Sequence, residues 1–335
     1  MSFWRRLLGR EDGPDTEAPG LARYRREREL GRGSMGEVWL ATDLQTNEQV
    51  ALKLLALSRE FSPEDLADVR ERFMREARAA GQLQHPDILR ILDTGESGTD
   101  AWIVMEYVKG HDLSHFSRVG QLLPVREALA VGARLARAMA HAHEQGVVHR
   151  DIKPANVMYD RGNDQLKIMD FGVARMADGS RTRTGLVLGT PSFMSPEQLS
   201  GLTVDGRSDL YSLGVLLYQL LTGRLPHQSD SMAELMRKIA TAPPPDVRHY
   251  RRDLPESLAM VLALALEKRP ELRYATGQQM AQDLEAVLSS GVLDTGPPAE
   301  DETGDRNVDA FAQTQRIELK EAVQNPAPPS IPKSS

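Results

Sequence analysis

The stretch "LGRGSMGEVWLA", residues 30–41, decides the fold. Gly31, Gly33 and Gly36 form a G-x-G-x-x-G. That spacing fits the opening of a dinucleotide-binding βαβ unit, a lid over phosphates, or a plain turn. The dinucleotide unit requires the glycine turn to run straight into a helix. Here Gly36 leads into "EVWLAT", which is β-branched, aromatic and strand-like. The next element is therefore wrong for that fold, and strand–turn–strand remains. In such a turn the backbone amides from Gly33 to Gly36 can approach a phosphate, because glycine has no Cβ to block them.

Working outward, the chain turns back through "DLQTNEQ" into "VALKLLAL". This is a hairpin signal, with Thr46 and Asn47 near its tip and Lys53 on the second strand. Taken alone, such a lysine is an edge charge. "SPEDLADVRERFMREARAAGQL" (62–83) is predicted to be a helix carrying Glu76. Ser62 caps it, Pro63 takes the first turn, and Glu64 and Asp65 follow. "DILRILDTGES" and "AWIVMEYV" read as two further strands. From about residue 124 the pattern becomes helical. "PVREALAVGARLARAMAHAHEQG" (124–146) is amphipathic and stops at Gly146. Short strands are expected at 156–159 and 166–169, then a polar loop, then mostly helices to about 289. His141 and His143 lie near the end of a helix, where positions two apart point to different sides. They read as cap or surface residues, not metal ligands.

"VVHRDIKPANVM" (147–158) then changes the weight of everything before it. His149, Arg150, Asp151 and Asn156 make H-R-D-x-x-x-x-N, and "IMDFGVAR" (168–175) supplies D-F-G at Asp170, Phe171 and Gly172. With Lys53 and Glu76 ahead of them in order, these motifs resemble the eukaryotic-like serine/threonine protein kinases of bacteria. The resemblance covers about residues 30–273. It implies an α+β bilobal protein-kinase fold, with a small antiparallel β N-lobe carrying one main helix and a larger helical C-lobe. Residues 1–23 form an extension and linker. Residues 24–289 form the kinase domain, with its N-lobe at about 24–108 and its C-lobe at about 109–289.

The resemblance also assigns roles. Asp151 accepts or orients the proton of the attacking hydroxyl, and Lys153 stabilises the transferring phosphoryl group. Lys53 pairs with the α- and β-phosphates of ATP and is held by Glu76. Asn156 and Asp170 hold Mg²⁺, with Mn²⁺ as the alternative ion. Leu30, Gly31, Arg32, Gly33, Ser34, Met35 and Gly36 form the lid, and Met35 departs mildly from the aromatic or small residue frequent at its tip. Val38, Ala51 and Met158 enclose the adenine. In "IVMEYVKG" (103–110), Met105 backs the pocket, and Glu106 to Val108 offer backbone groups. Phe171 packs against the Glu76 helix. "GTPSFMSPE" (189–197) resembles a peptide-docking platform, with Ser195-Pro196-Glu197 where A-P-E is usual. Glu197 pairs with Arg273, and Asp209 braces the catalytic loop. Because Lys53, Asp151, Asn156 and Asp170 are all present, the resemblance favours an active enzyme over a pseudokinase. The platform favours protein over small-molecule substrates.

Composition narrows the alternatives. The 335 residues carry a formal charge of −7 and a pI of about 5.7, which argues against general affinity for nucleic acid. Cysteine is absent, so there is no disulfide, thiolate zinc site or cysteine nucleophile. No run reaches the ~20 apolar residues of a membrane-spanning helix. "DLYSLGVLLYQLL" (209–221) and "SLAMVLALALEK" (257–268) read as buried core helices. "MSFWRRLLGR" lacks the apolar region of a secretory signal, so a cytoplasmic location is expected. Its Phe3, Trp4, Leu7 and Leu8 beside Arg5, Arg6 and Arg10 suit docking on the N-lobe, an unstructured extension, or weak contact with an anionic membrane surface. Residues 290–335 are rich in proline and acid and read as a disordered tail.

Thr182 and Thr184, between Asp170 and Glu197, are candidate autophosphorylation sites. Arg150 and Arg175 are placed to pair with the added charge, and a transient homodimer would serve trans-phosphorylation. Thr314, three residues before Ile317, resembles the phosphothreonine motif read by forkhead-associated domains. Such a protein and a cognate phosphatase are therefore candidate partners.

Overall fold

The computed structural model describes residues 20–33, 36–61, 64–97, 100–171, 191–291 and 293. Ser34, Met35, Ser62, Pro63, Gly172, Arg175, Thr182, Thr184, Thr314 and the N-terminal segment lie outside them.

The opening stretch carries two strands, as read, on either side of Ser34 and Met35. β1 (Tyr24–Gly33) pairs antiparallel with β2 (Gly36–Asp43), Gly33 opposite Gly36. β2 turns into β3 (Gln49–Leu55) through Asn47, whose φ of 60° is one that asparagine tolerates. At Gly36 φ is +149°, and a Cβ built there would sit 1.9 Å from the backbone oxygen of Leu54. That oxygen belongs to β3 and cannot swing aside. Gly36→Ala should therefore destabilise the fold by roughly 1–3 kcal/mol, read as a lower thermal midpoint. At Gly31 an added Cβ would meet nothing within 4 Å. The space over β1 is open at the point where the lid reading needs room.

β4 (Ile91–Ser97) and β5 (Asp100–Glu106) complete a five-stranded sheet of order β1-β2-β3-β5-β4. Side-chain alternation gives it two apolar faces. Val50, Leu52, Trp102 and Val104 join Tyr24 and Ala41 on one face. Ala51, Leu55, Ala101, Ile103 and Met105 lie on the other, packed with Val69, Phe73, Met74 and Ala77 of the main helix.

That helix differs from expectation at its start. A short α1 (Leu57–Glu60) precedes it, and α2 proper spans Leu66–Gly81 with Asp65, not Ser62, at its N-cap. Leu57 and Phe61 are each 1% exposed. The chain first drops these two side chains onto the sheet, which delays the helix by one turn.

The rest is helical, as the alternation into 3.6-residue periodicity implies. α3 (Val125–Glu144) ends at Gly146, whose φ is +74°. It packs on α5 (Gly206–Thr222) and α8 (Gly277–Ser289) around a core rich in Leu, Ala and Met. α4 (Pro196–Leu199) lies between α3 and α5, and a small sheet joins β6 (His111–Asp112), which precedes α3, to β7 (Val157–Asp160) and β8 (Gln165–Ile168), which follow it. α6 (Met232–Thr241) and α7 (Glu256–Ala265) complete the lobe. α5 is buried nearly throughout, as read. α7 is not: it buries Leu258, Val261, Leu262 and Ala265, while Met260 and Leu264 on the opposite face are exposed. Its uniformly apolar sequence concealed that one-sided packing. Among the described residues, no helix is long and apolar enough to cross a membrane.

Candidate active site

The catalytic-loop motif follows directly on α3. His149 is fully buried, and Arg150 takes a φ of +70°, an uncommon conformation for a side-chain-bearing residue. Asp209, at the start of α5 and 0% exposed, compensates for this. Its Oδ2 accepts the N–H of His149 at 2.8 Å, and its Oδ1 accepts that of Arg150 at 2.7 Å. Asp209 braces the loop through the backbone, as expected. The imidazole of His149 bonds on both sides. Nδ1 accepts the N–H of Asp151 at 3.2 Å, and Nε2 lies 2.7 Å from the carbonyl of Met169. The pattern requires the neutral Nε2–H tautomer, since Nδ1 must accept. The ring also meets Phe171 edge-on at 4.6 Å between centroids.

Asp151 is thereby set beside Lys153 and Asn156. Lys153 Nζ is 2.8 Å from Asp151 Oδ2. Asn156 Nδ2 donates to Oδ2 at 2.9 Å and to the Asp151 carbonyl at 2.8 Å. The Asn156 carbonyl accepts the N–H of Met169 at 2.8 Å, which ties this loop to the residue before Asp170.

Asp170 has a φ of +58°. Its Oδ1 lies 2.6 Å from Nζ of Lys53 on β3. Burial alone would push the Asp170 carboxyl up. Lys53, with Lys153, instead holds it below the ordinary value. Glu76 stands on the α2 wall of a cavity that Phe73, Ala77, Asp170 and Phe171 also line.

The adenine-pocket candidates form one apolar group. Ala51, Met105 and Val108 are buried together, and Leu30, Val38 and Met158 pack against them. The Glu106 carboxylate is taken up by Lys167 at 2.6 Å and by the N–H of Arg90 at 2.8 Å, and its own N–H bonds the Arg90 carbonyl at 3.0 Å. Arg32 pairs with Glu29 and Glu37 at the exposed base of the lid.

Glu197 and Arg273 form the expected buried pair, with contacts of 2.6 and 2.7 Å. One expectation fails. His143 is not a surface residue: its Nε2 lies 2.8 Å from Asp209 Oδ2, and its ring fills the space over Gly206. The one-face periodicity argument missed this, because the end of α3 runs alongside the start of α5. His141 fits its surface reading, bonded to Gln145 at 2.8 Å.

Three groups escaped the sequence reading. Arg134 on α3 bonds the nearly buried Asp87 and also Asp164, joining the segment after α2 to the helical lobe. A separation of 47 residues left no local signal. Lys167 holds Glu106. Gln198 bonds the catalytic loop. Its S-x-x-Q spacing from Ser195 is a capping-box signature and was legible.

Comparison with known proteins agrees with this geometry. The family model for the protein kinase domain matches residues 24–284. The chain is 42% identical to the serine/threonine-protein kinase PknB of Mycolicibacterium smegmatis over 78% of its length and 42% of the relative's. It is 36% identical to PrkC of Bacillus subtilis over 81% and 41%. Across the similar curated proteins the chain spans 39–50% of the relative. The crystal structure of the Mycobacterium tuberculosis PknI kinase domain superposes with a TM-score of 0.63 at 34% identity, covering 79% of this chain and 96% of that one. The chain belongs to the protein kinase domain family and is similar throughout that domain to the serine/threonine kinases of bacteria.

Proposed function

We propose that this domain transfers the γ-phosphoryl group of ATP to serine and threonine hydroxyls of proteins. The observation that carries the reading is the Asp151 carboxylate, in contact with both Lys153 and Asn156, together with the Lys53–Asp170 pair at 2.6 Å.

The residues fit the ligands. The apolar group around Ala51 and Met158 suits a flat base, and the open space at Gly31 suits phosphates beneath the lid. Asp170 offers a charged carboxylate. Asn156, its Nδ2 committed to Asp151, retains Oδ1 as a second hard oxygen donor. Mg²⁺ is commonly held by one or two such groups together with substrate phosphates, and Mn²⁺ accepts the same donors. When bound, the ion offsets charge on the phosphates.

Asp151 then orients the incoming hydroxyl and takes up its proton as the oxygen–γ-phosphorus bond forms and the bond to the β–γ bridging oxygen breaks. Lys153 lies against the transferring group, and Lys53 against the α- and β-phosphates. The loose transition state asks mainly for position and charge, which these groups supply. The site test is labelled-ATP transfer to a protein substrate. Asp151→Asn should lower the rate by about a hundredfold. Undiminished transfer in that variant would reject Asp151 as the base.

The finer readings extend from this site. Thr182 and Thr184 are autophosphorylation sites reached from a transiently paired second copy. Phosphorylated Thr314 docks a forkhead-associated-domain protein, and a phosphatase reverses both. The N-terminal segment touches anionic membrane weakly, and the enzyme works in the cytoplasm. Phosphosite mapping after incubation with ATP tests the first. Unmodified threonines in a fully active enzyme would remove it.

A further inference from the structure

The peptide between Arg150 and Asp151 is gripped on both edges. Its N–H donates to Nδ1 of His149 at 3.2 Å. Its C=O accepts from Nε2 of Gln198 at 2.8 Å. Gln198 belongs to α4, the short helix that follows the peptide-docking segment, and is separated from Arg150 by 48 residues. Its other amide atom, Oε1, accepts the backbone N–H of Ser195 at 3.0 Å and the hydroxyl of Ser195 at 3.1 Å. The Ser195 hydroxyl in turn accepts the N–H of Gln198, closing the capping box. The amide orientation is not ambiguous. One end meets a backbone donor and the other a backbone acceptor, so oxygen must face Ser195 and nitrogen must face Arg150.

A helix cap requires only the acceptor half of that amide. A glutamate at this position of a capping box serves as well as a glutamine. The donor half is directed at the carbonyl of a residue held at φ +70°, one step before Asp151. Such a conformation persists only where the surroundings over-determine it. Asp209 holds the N–H side of Arg150, and Gln198 holds its C=O side. Without Gln198 the Arg150–Asp151 peptide loses the shorter of these two bonds, keeps the weaker 3.2 Å bond to His149, and is freer to rotate.

We propose that Gln198 is a positioning residue for phosphoryl transfer. By pinning the Arg150–Asp151 peptide it fixes the aim of the Asp151 carboxylate, and through the same amide it couples the start of α4 to the catalytic loop. This rests on the reading of Asp151 as the base. It adds a mechanical link between the docking segment and that base, running through one side chain.

Gln198→Glu separates the two halves. Its carboxylate still accepts from Ser195 and caps α4, but cannot donate to Arg150. Gln198→Ala loses both. Transfer is measured with labelled ATP and a fixed protein substrate, alongside thermal melts of each protein. Gln198→Glu should melt close to the wild type, yet lose about ten- to a hundredfold in kcat, the cost of a misplaced catalytic group, with the KM for ATP little changed. As pH falls, the ratio of its kcat to the wild-type kcat should rise, because a protonated carboxyl regains a donor for the Arg150 carbonyl. Gln198→Ala should show the kcat loss together with a lower melting temperature and no such recovery.

A Gln198→Glu enzyme with wild-type kcat overturns the inference. So does a kcat deficit that follows melting temperature alone and is flat with pH. Absence of transfer by the wild type would instead overturn the reading of the site, and this inference with it.

Discussion

Replacing Asp170 with asparagine should lower phosphoryl transfer by about three orders of magnitude, with far less change in ATP affinity. The substitution isolates charge. Asp170 sits at φ +58°, and asparagine is among the side-chain-bearing residues that best tolerate that region. The backbone is therefore preserved while the carboxylate is lost. The group removed is one the site keeps ionised. Burial works against its charge, and Lys53 at 2.6 Å, with Lys153, outweighs that burial. The folded pKa lies below the ordinary 3.8. Any stability this ionisation contributes is therefore present above 3.8 and lost as pH falls through the lower folded value. Asp170 stays charged across neutral pH and does not set the acid limb of the rate profile.

Lys53→Met should cost a similar amount, and it leaves burial as the dominant influence on Asp170. The carboxyl's pKa then rises, and the residual activity falls off at a higher pH than in the wild type. The double variant should be about as impaired as the worse single one, because the two groups act as a unit. Rates from labelled-ATP transfer across a pH series check all three expectations. Fully multiplicative losses would mean that the ion pair is incidental to the chemistry.

How far such residues could be read from the sequence depended on where their partners lie. Lys53, Asp151, Asn156 and Asp170 stand out as candidates because they fall in short motifs in a fixed order along the chain, and the structure brings them together as the contacts Lys53–Asp170 and Asp151–Asn156. The four strands after the glycine turn and α3 were legible from strand-like composition and a period-3.6 apolar pattern ended by turn residues such as Asn47 and Gly146, whereas the charged first strand (Tyr24–Gly33) was implied only by the glycine turn that follows it. The start of α2 was misread because Leu57 and Phe61 are claimed by the sheet face, a tertiary demand that outweighs the helix signal of Ser62-Pro63. His143 was misread for the same kind of reason. Its partner Asp209 is 66 residues away, and only the packing of α3 on α5 makes them neighbours. Arg134 with Asp87 follows suit. Local chemistry is written locally, whereas the contacts that hold the catalytic loop and the two lobes in register arise only from the fold.

The buried Glu197–Arg273 pair should carry the largest single stability effect. Arg273 has a 0% exposed side chain and Glu197 a 5% exposed one. Besides the two contacts with Glu197, the guanidinium donates to the carbonyls of Glu267, Lys268 and Arg207 at 2.7, 2.9 and 3.2 Å. Glu197 also accepts from the hydroxyl of Ser208 on α5, so α4, α5 and the 267–273 segment meet at one carboxylate. A buried ion pair contributes little over an apolar pair of equal volume, but removing one partner strands the other's charge. Arg273→Met or Glu197→Gln should each destabilise the domain by about 3–5 kcal/mol, lowering its melting temperature by roughly ten degrees. Arg273→Met is the harsher of the two, because it leaves a buried carboxylate with only Ser208, whereas Glu197→Gln leaves the guanidinium three carbonyl acceptors. The combined variant should lose less than the sum, since neither charge is then stranded. The pH dependence has a definite sign. Burial raises the Glu197 carboxyl, and the bonds from Arg273 and Ser208 more than offset it, so the folded pKa lies below the ordinary 4.5. Its contribution is full above 4.5 and is lost as pH falls through the folded value, so wild type and Glu197→Gln should converge in stability under acid conditions. Denaturant melts of the four proteins at neutral and acid pH measure this. A strictly additive double variant, or a wild-type advantage that persists undiminished into strong acid, would refute the buried charge pair as the anchor of the docking segment.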